Sequence, residues 1–239
     1  RSRVDPYSWS WYAEALVVLP ALTAWYLWGL RRFPTAPWRI VCFTAANVLL
    51  LAVTVTPIET IALNYLLSVH LLQNVVLAEW APLLAVLGIS PGLAAAGPRV
   101  PPVLALVLWV VNYSLWHLPW LYDAALRHPH SLLHLEHALY FVTGVLLWWP
   151  VVHGTLATGE KAAYLFAAFL LASPIGLVLA LVPEPIYEFY AEGPGLWGLS
   201  PILDQQIAGV SMAVAEAVVF FAAFAFFFAR FFDEQDAAG

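Results

Sequence analysis

Residues 112–150 read NYSLWHLPWLYDAALRHPHSLLHLEHALYFVTGVLLWWP and carry five of the chain's seven histidines. Two long apolar runs are joined here by a short polar turn holding Asp123 and Arg127. His117 ends the first run. His130, His134 and His137 open the second at spacings of four and three, which place them on one face of a helix. Ionisable side chains at the mouths of apolar helices are costly unless they have a task, so function is sought here first.

The rest of the chain places this hairpin in a membrane. Of 239 residues, 63% are hydrophobic and 10% charged, and the mean hydropathy is +0.82. A soluble domain of this length carries about a quarter charged residues. The 12 Trp and 10 Tyr suit repeated membrane–water crossings, where amphipathic rings collect. The net charge of −6 comes from loop and tail acids, and no basic run suggests nucleic acid. The single cysteine, Cys42, lies in an apolar run, which leaves no intramolecular disulfide and no CxxC metal motif. The first apolar run is followed by Arg31 and Arg32 and reads as a helix that stays, not as a signal peptide.

A spanning helix needs about 20 mostly apolar residues. Seven stretches qualify, near 9–30, 38–56, 62–88, 102–118, 130–152, 161–182 and 204–231. The expected fold is therefore all-α: one seven-helix transmembrane domain over residues 1–239. Arg31, Arg32, Arg39, Arg99, Lys161 and Arg230 fall on one side, and Arg1, Arg3 and Arg127 on the other. That bias predicts an outside N-terminus, a cytoplasmic C-terminus, and a place in the cell membrane. The loop at 183–206 carries Glu184, Glu188, Glu192 and Asp204; it can draw cations, dock a partner, or simply connect. The acidic tail is expected to fray.

At 1.5 Å per residue the polar groups fall into one layer. His70 lies roughly 10 Å below the start of the third run, at about the depth of His137, and Met212 roughly 12 Å below the start of the seventh. His117 sits at the end of the fourth. Each has a plain structural reading as well. Asp204 suits a helix N-terminus, Asp123 a turn cap, Met212 a gap in the core, and His128, His130 and His153 the interface. Glu79 and Glu216 can pair with polar neighbours. His70, His117 and His137 on three helices at one level point more strongly to a shared site. Imidazole suits copper, zinc or iron, and a thioether selects Cu(I). His with one Met and no thiolate points to copper. Bis-histidine haem is the next reading, and a zinc hydrolase using Asp123 or Asp204 as base follows without HExxH-like spacing to support it.

Strings at these residues carry a resemblance. HLLQN (70–74), WHLPWLYDAALRHP (116–129), LEH (135–137) with WWP (148–150), and LSPILDQQIAGVSM (199–212) are similar to the CtaG family of cytochrome c oxidase assembly proteins. The likeness runs in order from Thr56 to Met212. It implies a seven-helix bacterial or archaeal membrane protein engaged in copper-dependent oxidase maturation, with oxidase subunits or another copper carrier as partners and no enzymatic activity. His70, Gln73, His117, Asp123, Glu136, His137, Asp204, Gln205 and Met212 match the family's pattern. Asn74 stands where a second His is expected, and Ala213 where a Trp follows the Met. An amide is a poor copper ligand, so His134 is the candidate substitute. The resulting ligand set is His70, His117, His134, His137 and Met212, with Gln73, Asn74, Asp123, Glu136, Asp204 and Gln205 orienting them or shaping the entrance. The competing readings are a haem-binding electron-transfer protein, a metal-dependent membrane hydrolase and a metal-free scaffold for oxidase subunits.

Overall fold

A computed structural model describes residues 4–12, 14–97 and 99–237, and its regular structure is helical throughout. A π turn, Glu14–Val18, leads into α1 (Leu19–Arg32), which is followed by α2 (Pro37–Val55), α3 (Pro57–Asn64) and α4 (Leu67–Val75). A second π turn, Val76–Trp80, runs into α5 (Ala81–Gly88). Short α6 (Pro91–Ala95) precedes α7 (Pro102–Trp116) and α8 (Pro119–Arg127). A third π turn, Pro129–Leu133, opens α9 (His134–Val152). Then come α10 (Thr158–Leu181), four-residue α11 (Glu188–Ala191) and α12 (Pro201–Asp236).

Proline sets many of the starts. Pro37, Pro57, Pro91, Pro102, Pro119, Pro129 and Pro201 lie in the first turns of their helices, where the missing N–H is not needed. Pro119 turns the expected connection after His117 into a helix of its own, bent by 74° from α7.

Among the described residues, five helices are long and apolar enough to cross a membrane, or six if α7 and α8 form one broken span. The chain is thus a multi-pass, all-helical membrane protein. The first expected span, near 9–30, corresponds to Glu14–Arg32 and falls outside that set. The third is shorter than 62–88. It runs over Leu67–Gly88, because the helix breaks at Tyr65 and Leu66. The seventh is longer than 204–231: α12 continues through 36 residues, about 54 Å at 1.5 Å each, well beyond the roughly 30 Å hydrocarbon layer. Its tail stays helical to Asp236, with Arg230 paired to Glu234 one turn on and Thr158 bonded to the same carboxylate. Arg1 and Arg3, which entered the charge count, lie outside the described residues.

The exposed faces are apolar, as lipid contact requires. Val103, Val107 and Val111 line the outside of α7, and Val210, Val214, Val218 and Phe221 that of α12. Small residues close the inside. A Cβ on Gly209 would lie 2.5 Å from both the Ala180 nitrogen and the Gly176 oxygen, so α10 and α12 touch backbone to backbone. Gly144 of α9 meets the Ala78 carbonyl in the same manner.

Candidate functional site

The site begins where α3 stops. Leu66 is extended, and α4 restarts without a cap from its own chain segment. Asp204 supplies one from α12. Its carboxylate accepts from Leu67 N (2.7 Å), Ser68 N (3.2 Å) and Ser68 Oγ (2.5 Å). A carboxylate at these N–H groups satisfies helix donors that have no intrahelical partner. Its own helix is capped instead by Ser200, which accepts from Leu203 N. Asp204 therefore fixes α4, and His70 follows on the first turn, about 4.5 Å below the start.

His70 is fully buried, and its Nδ1 lies 2.9 Å from the hydroxyls of both Tyr190 and Tyr122. Tyr190 donates its proton to the Ala62 carbonyl, so its oxygen is left to accept from Nδ1–H. His117, at the end of α7, has Nδ1 2.8 Å from the Tyr113 carbonyl, which can only accept. Both imidazoles thereby carry the proton on Nδ1 and turn a bare Nε2 inward. Among the described residues, the Nε2 atoms of His70, His117 and His137 are buried without a hydrogen-bond partner. An Nδ1–H tied to a carbonyl or hydroxyl with a free Nε2 is the pattern of imidazoles that bind metals.

The histidines are gathered by aromatic rings. The Tyr122 ring lies 5.1 Å from His70 and 6.1 Å from His117, and Tyr187 stacks on it at 4.1 Å. Tyr187 donates to the His117 carbonyl. Tyr187 and Tyr190 come from the segment around α11, which Asp123 holds down by accepting from Glu188 N (3.2 Å) and Phe189 N (3.1 Å). Gln205 pins the preceding stretch, accepting from Ile186 N and donating to the Glu184 carbonyl. The long loop after α10 is therefore a cover fastened over the histidines, with Glu184, Glu188 and Glu192 on its exposed side.

From α9, His137 reaches His70 with ring centroids 6.2 Å apart. A metal–imidazole bond is about 2.0–2.1 Å, so two rings at this separation are near enough to share an ion. Glu136 is fully buried. It accepts from Asn74 Nδ2 (3.3 Å) and bonds to Tyr140, while its Oε2 and the Asn74 Oδ1 have no partner among the described residues. Gln73 donates to the Val53 carbonyl and to Glu59. His134 packs edge-on against Tyr12 at 5.3 Å and His130 at 6.0 Å. With His137 and Glu59 it lines an apolar cavity of about 300 Å³ between the start of α1, α2 and α9. Met212 is fully buried in the apolar core.

The layer inferred from depth counting is thus partly assembled. His70 meets His137, Asn74 bonds to Glu136 between the same two helices, and the Tyr122 ring lies between His70 and His117. His134 stands on the cavity rim. No group of three or more His, Cys, Asp or Glu side chains is placed to hold a metal among the described residues. His128 lies exposed on the α8–α9 corner, and His153 bonds to the Val86 carbonyl at the other end of the bundle. There burial, with Arg39 adding to it, lowers its imidazole below the usual value against the pull of that carbonyl. Sequence reasoning passed over Glu59, Tyr113, Tyr122, Tyr140, Tyr187 and Tyr190. An acid inside the otherwise apolar run PIETIAL was the available signal for Glu59.

The family model described as "cytochrome c oxidase caa3 assembly factor" matches residues 24–234. The chain belongs to this family. The match covers every element from within α1 to the end of the apolar part of α12, and so includes the histidine layer and its cover. The assembly factor matches no curated protein and no solved structure.

Chemically, the layer offers buried imidazole nitrogens, two of them oriented through Nδ1, with the Asn74 amide and the Glu136 carboxylate on the helices of His70 and His137. Such donors suit a borderline or soft cation. Unpartnered imidazole nitrogens of this kind suit copper, zinc or iron alike.

Proposed function

We propose that this assembly factor binds copper at His70 and His137 and relays it to an oxidase subunit or to another copper carrier, without catalysing a reaction. The observation that carries the reading is the set of three buried Nε2 atoms with no partner, two of them on rings whose Nδ1–H is already committed. Copper is the cargo. His70 and His137 would hold it, and His117, His134 and Met212 would supply donors along the way in or out. Few ligands make a site that releases as readily as it binds, as a relay needs. Tyr122 and Tyr190 orient His70, and Tyr113 and Tyr140 orient His117. Glu136 and Asn74 offer polar company to a cation without strong ligation. We further read the chain as seven spans in the plasma membrane, with Glu14–Arg32 the first, the histidine end outside and the C-terminus cytoplasmic. The Lys/Arg bias supports this orientation.

Metal analysis of purified protein tests the reading. Wild type incubated with Cu(I) should retain copper, and a variant with His70, His117 and His137 all changed to Ala should retain none above background. Equal retention by both would remove copper relay.

A second reading has an observation of its own. The His70 bond to Tyr190 and the bond from Tyr187 to the His117 carbonyl also clamp the cover onto the bundle, and Asn74 replaces a ligand the resemblance calls for. On this reading the polar layer shapes a metal-free surface that docks oxidase subunits. Oxidase maturation surviving in the triple variant, with copper absent from wild type, would select it.

A further inference from the structure

A second polar centre lies deeper in the bundle, separated from His117 by Tyr113, whose carbonyl that imidazole meets. Glu79 sits in the π turn Val76–Trp80 and Glu216 in the middle of α12, and both are fully buried. Tyr113 donates to Glu216 Oε1. The turn is held from three sides by indoles: Trp109 donates to the Ala78 carbonyl, Trp148 to the Glu79 carbonyl, and Trp80 to the Ala215 carbonyl. The last bond, at 3.3 Å, brings residues 79–80 of the turn against residues 215–216 of α12. π turns of this kind bulge the helix and re-aim a side chain, frequently at functional sites.

The acceptor count does not close. Both oxygens of Glu79 and the Oε2 of Glu216 are buried with no partner among the described residues. A carboxylate offers only acceptors, and two of them buried in one apolar interior leave repulsion and missing donors together. The titratable groups packed here are the two carboxyls and Tyr113 of α7, with the Tyr140 ring of α9 5.8 Å from that of Tyr113. None of these is a cation. Phe220 closes the far side, stacked on Trp148 at 5.5 Å and edge-on to Trp109 at 5.5 Å.

We propose that Glu79 and Glu216 form a proton-binding site in the middle of the bundle, in which Glu79 carries the proton and donates it to Glu216 Oε2. One proton removes the repulsion and supplies the missing donor. Glu216 then accepts from Glu79 on one oxygen and from Tyr113 on the other. Only oxygen donors are present, so the site differs in chemistry from the nitrogen-lined layer above it and suits a proton better than a soft metal. Paired carboxyl groups sharing a proton are an established arrangement. An intramembrane carboxyl pair able to take and give a proton can couple protonation to a change in packing between α12 and the π turn.

Infrared spectra of the full chain in lipid nanodiscs test this at neutral pH, where solvated carboxyl groups are ionised. Wild type should show the carbonyl stretch of a protonated carboxylic acid, lowered in D2O. Glu79→Gln should lose a component of that band yet melt as wild type does, since Gln mimics a neutral acid in shape and keeps a donor. Glu216→Gln should keep the Glu79 component with a shifted position, its partner having changed. An unchanged band in Glu79→Gln overturns the proposal, as does a Glu79→Gln chain that cannot fold, because charge at 79 would then be required. Melting that follows sodium or potassium concentration at fixed pH in wild type, and is lost in Glu79→Gln, replaces the proton by a metal cation and overturns it too.

Discussion

Asp204 and Leu67 are 137 positions apart in the chain, yet the carboxylate of one accepts the backbone N–H of the other at 2.7 Å. The last helix thereby starts the helix that carries His70. Asp204→Ala leaves the buried Leu67 N–H without a partner, at a cost of about 1–3 kcal/mol, besides the lost bonds to Ser68. Asp204→Asn keeps one acceptor and should cost less. Unfolding in mixed detergent should rank wild type above Asn above Ala. Equal stability of all three would remove this cap from the account.

Asp123 performs the corresponding task for the cover. With Ala at this position, Glu188 N and Phe189 N lose their acceptor, Tyr190 loses its anchor, and His70 loses one of the hydroxyls on its Nδ1. The expected result is faster backbone hydrogen exchange and proteolysis across 184–200, with the membrane helices protected as before. Arg127→Ala, which removes only an exposed ion pair to Glu188, should change these rates little.

These two contacts show what the sequence could and could not disclose. A common level for His70 and His137 was legible from helical rise, as was the packing of α7 beside α9 across a short connection, but the 6.2 Å approach of the two rings was not. The break at Tyr65–Leu66 was not, because nothing in that apolar run signals it and its cap comes from Asp204. The tyrosines were hidden for a different reason. Rings near membrane ends suit the interface by composition alone, and only the cover's tertiary docking turns Tyr187 and Tyr190 inward. The π turn at Val76–Trp80 is held by indoles from α7 and α9 and by its own Trp80 reaching α12, again beyond local pattern.

Gly209 marks one of the tightest helix contacts, with backbone atoms of α10 around its missing Cβ. Gly209→Ala cannot be absorbed by a side-chain rotation. It should push α10 from α12 and cost about 1–3 kcal/mol, the usual range for overpacking. Gly92→Ala meets a side chain instead, the ring of Phe33, and should cost less because that ring can turn. The yield of folded protein and its melting temperature compare the two. A Gly92 variant as damaged as the Gly209 variant would contradict the distinction.

The last prediction separates copper handling from scaffolding in the cell. His137 lies partly at the cavity wall and its Nε2 makes no hydrogen bond, so Ala removes a donor without breaking a bond at that atom. If the pocket handles Cu(I), His137→Ala should lower copper retention by at least the roughly 10–100-fold that loss of a group supporting a metal ligand causes, and oxidase maturation should fall with it. His153→Ala, at the far end of α9, breaks a bond to the Val86 carbonyl but touches no member of the histidine layer. It should leave copper retention unchanged even if it lowers stability slightly. Cavity-filling His137→Phe should behave like Ala in copper retention while preserving packing, which guards against a purely structural effect. Equal oxidase activity in the His137 and His153 variants at matched expression would favour the metal-free docking surface.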